Sequence, residues 1–290
     1  APNNVMEEID ERALQQKQQI PKNKPLKANK IIQRVKNKEI AYGHMVLEFA
    51  TRGIARILDA TPADFVVIDM EHSGFGIDKV HDLLSWFSGV SISPIVRVPD
   101  TQYDFIARVL DAGAQGIMVP NVKNPEQANK VIEYARYAPK GKRGLGLGTA
   151  HNDYMAPVSA SEYLKEANNN NYIICQIESG EAVSKIEEIA SIDGVDCIWI
   201  GHFDLCSDLG IVQKTDDPFH HPEFVDALKK VVAAGKKYKK QVGIQPGTQK
   251  QAKEWIDMGF DVISFGCDFG VYKTALTQNI SSLKEYKSTC

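Results

Sequence analysis

Along most of the chain, short continuous apolar runs alternate with longer stretches of helical spacing. The runs are IAYGHMVLEF, FVVIDMEH, SPIVRVP, GIMVPNV, YIICQIES, CIWIGHFDL, QVGIQPG and DVISFGCD. They are unbroken rather than strictly alternating, as parallel strands covered by helices should be. Between them lie DKVHDLLSWF, DFIARVLDAGA, PEQANKVIEYARY, EAVSKIEEIASI, PEFVDALKKVVAAGKKY and TQKQAKEWIDMG, which space their apolar residues as helices do. Several begin after Asp, Pro or Thr and end at Gly, consistent with capped helices. Eight strands alternating with helices predict an α/β fold, the (β/α)8 TIM barrel; a doubly wound open sheet is the rival. The segment after Gly270, VYKTALTQNISSLKEYK, predicts a final helix. The stretch from Pro139 to Asn169 is long for one connection, and RGLGLGTAHNDY within it reads as a functional loop. Its GLGLG run lacks the glycine spacing of a phosphate-binding loop.

The texture differs before this pattern begins. Residues 1–36 are polar and charged, with weak helical patterning from Val5 to Gln19, and KNKPLKANK has the composition of a linker. The expected division is a polar N-terminal extension over 1–36 and a barrel domain over 37–290. A net charge of −3 argues against a nucleic-acid binder or a polybasic membrane surface. No apolar run is long enough for a transmembrane helix, and the first residues lack the apolar core of a signal peptide. The five cysteines form no CxxC pair and no zinc spacing; Cys175 and Cys197 sit inside apolar runs as small hydrophobes. A cytoplasmic setting is expected.

In barrels, chemistry sits at the C-terminal ends of the strands. The second run ends in Asp69, Glu71 and His72, the third in Arg97, the fifth in Gln176 and Glu178, and the sixth in His202 and Asp204. Gln245 and Asp268 close the seventh and eighth. Each has a bland reading: His72 capping a loop, Arg97 pairing with a neighbouring carboxylate, Glu178 or Asp204 capping the next helix. Together, however, they would point unneutralised acids into one mouth, which is costly without a purpose. Two carboxylates from neighbouring strands suit a hard divalent ion, Mg²⁺ or Mn²⁺, with positions left open for a 2-oxo acid. Such an ion would stabilise an enolate, with an imidazole as base and a guanidinium holding developing charge. None of the eight runs contains a lysine, which favours the metal route over a Schiff base.

IDMEH, IVRVPD, RVLDAGAQGIMVPNV, YAPKGKRGLG, QIES and IGHFDLCSDLG, in this order, resemble the HpcH/HpaI aldolase family over about residues 40–275. The resemblance implies a metal-dependent aldolase that cleaves a 4-hydroxy-2-oxo acid to pyruvate and an aldehyde. Macrophomate synthase, which acts on oxaloacetate, is similar to the same family. That makes oxaloacetate decarboxylation with transfer of the enolate the alternative, and a non-catalytic oxo-acid-binding barrel the remote one. Carried over by position, the base is His72, the transition-state arginine Arg97, and the aspartate that raises the histidine's basicity Asp111. The metal ligands are Glu178 and Asp204; Gln176 and the backbone N–H of Phe203 meet the substrate. Mg²⁺ is the expected metal, with Mn²⁺ or Co²⁺ as substitutes. The family's homohexamer, a trimer of dimers, implies a last helix exchanged between subunits. One departure stands out. Where most members read GPxDLS, this chain has Gly201, His202, Phe203, Asp204, Leu205 and Cys206. His202 either fills a gap between helices or hydrogen-bonds Asp204 or the substrate. Asp69 and Glu71 are candidates to support the catalytic groups.

Overall fold

The computed structural model describes residues 26–288; the expected helical patterning over Val5 to Gln19 lies outside them. The eight apolar runs all become strands: β1 (Ala41–Val46), β2 (Phe65–Asp69), β3 (Ser93–Arg97), β4 (Gly116–Val119), β5 (Tyr172–Ile177), β6 (Cys197–Ile200), β7 (Gln241–Ile244) and β8 (Val262–Cys267). They pair in sequence order, all parallel, and β8 closes on β1 as a barrel. The helices among the described residues are α1 (Lys30–Lys36), α2 (Ile54–Asp59), α3 (Ile77–Ser88), α4 (Tyr103–Asp111), α5 (Pro125–Ala135) and α6 (Ala160–Asn170). They continue with α7 (Gly180–Ser184), α8 (Ile186–Ala190), α9 (His202–Asp208), α10 (Pro222–Tyr238), α11 (Gln249–Met258) and α12 (Asp268–Ser288). None is long and apolar enough to cross a membrane.

Two apolar layers explain the unbroken strands. Residues pointing inward, among them Phe65, Ile95, Met118, Tyr172, Ile174 and Trp199, fill the barrel. The alternate residues, such as Val66, Ile68, Val96, Ile117, Ile173 and Ile198, meet the helices. Gly243 lies inside this filling because a Cβ there would stand 2.1 Å from Trp199 Cε3. Side-chain caps start the helices where the sequence offers them. The Asn124 side chain accepts from Gln127 N ahead of Pro125, and Thr248 does so from Gln251 N. Gly259, at φ +118, ends α11.

Three features depart from the sequence reading. The EAVSKIEEIASI segment is two short helices, α7 and α8, meeting at Lys185. The long connection after Pro139 contains α6, started by Ser159 accepting from Glu162 N. The described part of the linker-like stretch is tied down. Lys27 Nζ donates to the carbonyls of Phe87 (2.8 Å) and Ile92 (2.7 Å). Asn29 Nδ2 donates to those of Gln115 (2.8 Å) and Asn170 (3.0 Å). Lysine and asparagine look like linker residues by composition, yet here they satisfy carbonyls at the N-terminal end of the barrel. α1 then inserts Ile31, wholly buried, among the inward-facing side chains. Ile31→Ala is therefore expected to destabilise the protein by about 2–5 kcal/mol, the usual cost of emptying a core isoleucine site. Urea unfolding measures this, and a loss well below 1 kcal/mol would show that α1 is not part of the core.

Candidate active site

The register of β2 and β3 sets Asp69 opposite Arg97 at the C-terminal end of the barrel. Arg97 grips the fully buried carboxylate with two prongs, Nε to Oδ1 at 2.6 Å and Nη2 to Oδ2 at 2.8 Å. Asp69 also accepts the backbone N–H of Glu71 (3.0 Å) and of His72 (3.1 Å). It is thus a brace for the β2–α3 loop rather than a free acid. Arg97 Nη1 comes within 3.2 Å of Glu71 Oε2, but without hydrogen-bond alignment, and that oxygen is left buried and unbonded. His72 Nε2 lies 3.8 Å from the same oxygen, with the imidazole side chain 58% exposed. Burial raises the Glu71 carboxyl above its ordinary value against the opposing pull of Arg97, and Asp69 and Asp204 add to the rise.

Glu178 follows β5. Its Oε1 accepts the backbone N–H of Asn121 (2.6 Å) and its Oε2 the amide of Gln176 (2.5 Å). Asn121 holds φ +53, a left-handed conformation that asparagine tolerates, and so turns its N–H toward the carboxylate. Burial pushes the Glu178 carboxyl up to about 7; the Gln176 and Asn121 hydrogen bonds oppose this, while Glu71 and Asp204 reinforce it. Asp204 lies in the exposed first turn of α9, close enough to bear on both other carboxyls. Gly201 makes this arrangement possible: a Cβ there would lie 2.1 Å from Glu178 Oε2 and 2.9 Å from Gln176 Nε2.

The mouth therefore gathers Glu71, Glu178 and Asp204 around one guanidinium whose charge Asp69 already balances. Gln176 Oε1 is buried beside them with no hydrogen-bond partner. An oxygen-only donor set with excess negative charge fits a hard divalent cation. Glu178 and Asp204 could hold it. Among the described residues no group of three or more His, Cys, Asp or Glu is arranged to hold a metal ion.

Other expected residues lie elsewhere or serve the fold. Asp111 ends α4 just ahead of β4, at the N-terminal end of the barrel, whereas His72 follows the C-terminal end of β2. Within one chain the two do not meet; Asp111 is bound by Arg143, Nη2 to Oδ1 at 2.5 Å. Gln245 donates to the carbonyl of Gly266, and Asp268 Oδ2 accepts the N–H groups of Leu47, Glu48 and Phe49. His202 is buried against the rings of Phe203, Phe219 and Trp255, and burial lowers its pKa to about 4. Its imidazole makes no hydrogen bond to Asp204. Phe203 lies on the first turn of α9 with a 65% exposed side chain. Sequence reasoning gave no role to Gly201 or Asn121. A glycine at the turn from β6 into α9, three positions ahead of Asp204, was a usable signal for the first, whereas a backbone donor leaves almost none.

Residues 45–275 match the family description HpcH/HpaI aldolase/citrate lyase. The chain belongs to this family. Relatives of the chain are named as aldolases. The 5-keto-4-deoxy-D-glucarate aldolase of Klebsiella pneumoniae subsp. pneumoniae is 30% identical over 79% of this chain and 87% of its own length. The hydroxypyruvate/pyruvate aldolase of Chromohalobacter salexigens is 31% identical over 81% and 91%. Among solved structures, the HpcH/HpaI aldolase from Desulfitobacterium hafniense DCB-2 superposes with a TM-score of 0.82 at 27% identity, covering 89% of this chain and 98% of that one. Macrophomate synthase superposes with a TM-score of 0.71 at 25% identity, covering 87% of each chain.

The raised Glu178 carboxyl has a measurable signature. In the unfolded chain it ionises near 4.5, in the fold only near 7. Between these values the unfolded state is the more readily ionised, so stability falls as pH rises through the window and levels off above it. Thermal unfolding of chelator-treated protein should follow this course, and Glu178→Gln should flatten it. Identical profiles for the two proteins would mean that the carboxyl is not desolvated.

Proposed function

We propose that the chain is a divalent-cation-dependent aldolase that cleaves a 4-hydroxy-2-oxo acid to pyruvate and an aldehyde, and runs the reverse addition. The observation that carries this reading is the convergence of Glu178, Asp204 and the unbonded Gln176 Oε1 beside Arg97 and His72. The names of the relatives support the reaction class. A bound cation, Mg²⁺ first and Mn²⁺ or Co²⁺ as substitutes, would supply positive charge beside the oxo and carboxylate oxygens of the substrate. The chain's own groups do the rest. Gln176 and the N–H of Phe203 orient the oxo acid. His72, open to solvent, takes the C4 hydroxyl proton directly or through water. The C3–C4 bond breaks, its electron pair moves toward C2, and charge develops on the C2 oxygen, where Arg97 is held to meet it. A proton returned to C3 gives pyruvate; the other product leaves as the aldehyde.

The assembly belongs to the same proposal. On the outer face of β1 and β8, Tyr42 and Phe265 are exposed, and α12 displays Tyr272, Leu276, Ile280 and Leu283 along one stripe. We read these as complementary surfaces of a homohexamer that exchanges its last helix. Asp111 would act on His72 only across a contact between copies, from the opposite end of a neighbouring barrel. Mixed oligomers of His72→Ala and Asp111→Asn should then regain activity that neither variant has alone; no regain at any ratio would remove Asp111 from the mechanism.

The direct test is pyruvate release from 4-hydroxy-2-oxo acids by chelator-treated protein, with each metal restored in turn. Glu178→Gln and Asp204→Asn should abolish the metal response while leaving the fold intact. His72→Ala should lower the rate by about 10²–10⁴, the range for a lost general base. Cleavage indifferent to chelator would overturn the proposal. Release from oxaloacetate alone would favour the decarboxylase reading suggested by macrophomate synthase.

A further inference from the structure

We infer that Phe203 sets the aldehyde range of this chain, and that the preferred aldehyde carries an apolar alkyl or aryl substituent. The inference rests on the aldolase reaction proposed above. Phe203 immediately precedes Asp204 on the first turn of α9, at the C-terminal end of the barrel, one residue from a carboxylate that bears on Glu71 and Glu178. Phe203 is 65% exposed, so it leaves apolar surface open to a substituent that reaches it.

The ring is also held in position. It packs edge-on against Phe219 at 5.2 Å and beside the His202 ring at 4.5 Å. Both supports stand on Trp255, His202 at 5.6 Å and Phe219 at 6.2 Å, and Phe219 also touches Phe224. Trp255 and Phe224 are buried core residues. The phenyl therefore tops an aromatic stack rooted between α9, α10 and α11. An aromatic surface fixed in this way gains contact area with little ordering cost. It offers nothing to the hydroxyls or carboxylate of a polar aldehyde, which would lose water against it without compensation. An alkyl or aryl group loses no hydrogen bonds there and covers apolar area. Specificity would thus come from the same turn that supplies Asp204.

The test compares apolar with polar aldehydes in addition to pyruvate with Mn²⁺ present: propanal against D-glyceraldehyde, and benzaldehyde against glyoxylate. In the wild-type protein kcat/KM should favour the apolar member of each pair by about tenfold or more, the discrimination expected of a methylene-sized apolar contact. Phe203→Ser should bring the ratio toward unity, and Phe219→Ala should lower it part-way by releasing the ring. Because the ratio is taken within one protein, any general loss of activity cancels. A wild-type ratio at or below unity, or an unchanged ratio in Phe203→Ser, overturns the inference. Exchange of the pyruvate methyl protons with solvent, followed by NMR, separates the two levels. Exchange with no apolar preference sinks only the role of Phe203; absence of both exchange and addition sinks the aldolase reading with it.

Discussion

The buried fork between Asp69 and Arg97 sets where the other groups at the mouth can sit. It joins the ends of two neighbouring strands, and the remaining capacity of Asp69 is spent on the N–H groups of Glu71 and His72. Removing one partner of such a buried pair leaves the other charge stranded, which is far costlier than any surface pair is worth. The pair has a chemical result as well as a structural one. Arg97 is fully charged yet locally neutralised, so the excess negative potential comes from Glu71, Glu178 and Asp204. The proposed reaction would use both features, the imbalance to draw a cation and the fixed guanidinium to meet an anionic oxo acid.

The fold was legible because its main signal is redundant. Eight apolar runs separated by helical spacing leave few alternatives, and all eight became strands in the expected order. What escaped was short or governed by tertiary contact. α2, α6 and α9 are too brief or too polar for periodicity to stand out. The tethers at Lys27 and Asn29 use residues whose composition signals a linker.

The candidate site was partly legible for the same reason: strand ends are predictable once strands are. Position alone did not separate chemistry from architecture. Asp268 and Gln245 occupy strand ends just as Glu178 does, but find backbone partners, Asp268 in the loop after β1 and Gln245 at Gly266 of β8. His202 sits beside Asp204 in sequence, yet the helical turn sends its ring into the aromatic stack, and a histidine deprived of water stays neutral. Asp111 shows the opposite limit. Its expected role came from resemblance to a family, and the topology of one barrel places it at the wrong end. Linear order says nothing of which copy of a chain a side chain serves.

The tethering of α1 also bears on how the molecule is made. Asn29 bonds to Asn170, 141 positions further along, and Lys27 to carbonyls 60 and 65 positions away. During synthesis the segment emerges before the strands, and the last of its acceptors, the carbonyl of Asn170, follows only at the end of the helix that precedes the fifth strand. Until then Ile31 has no interior to enter, because the strands that would surround it are incomplete. Closing such distant contacts is an entropic burden carried late in folding. The base of the barrel is therefore sealed by the part of it that has waited longest, and the nascent chain must keep that apolar residue from other partners throughout the interval.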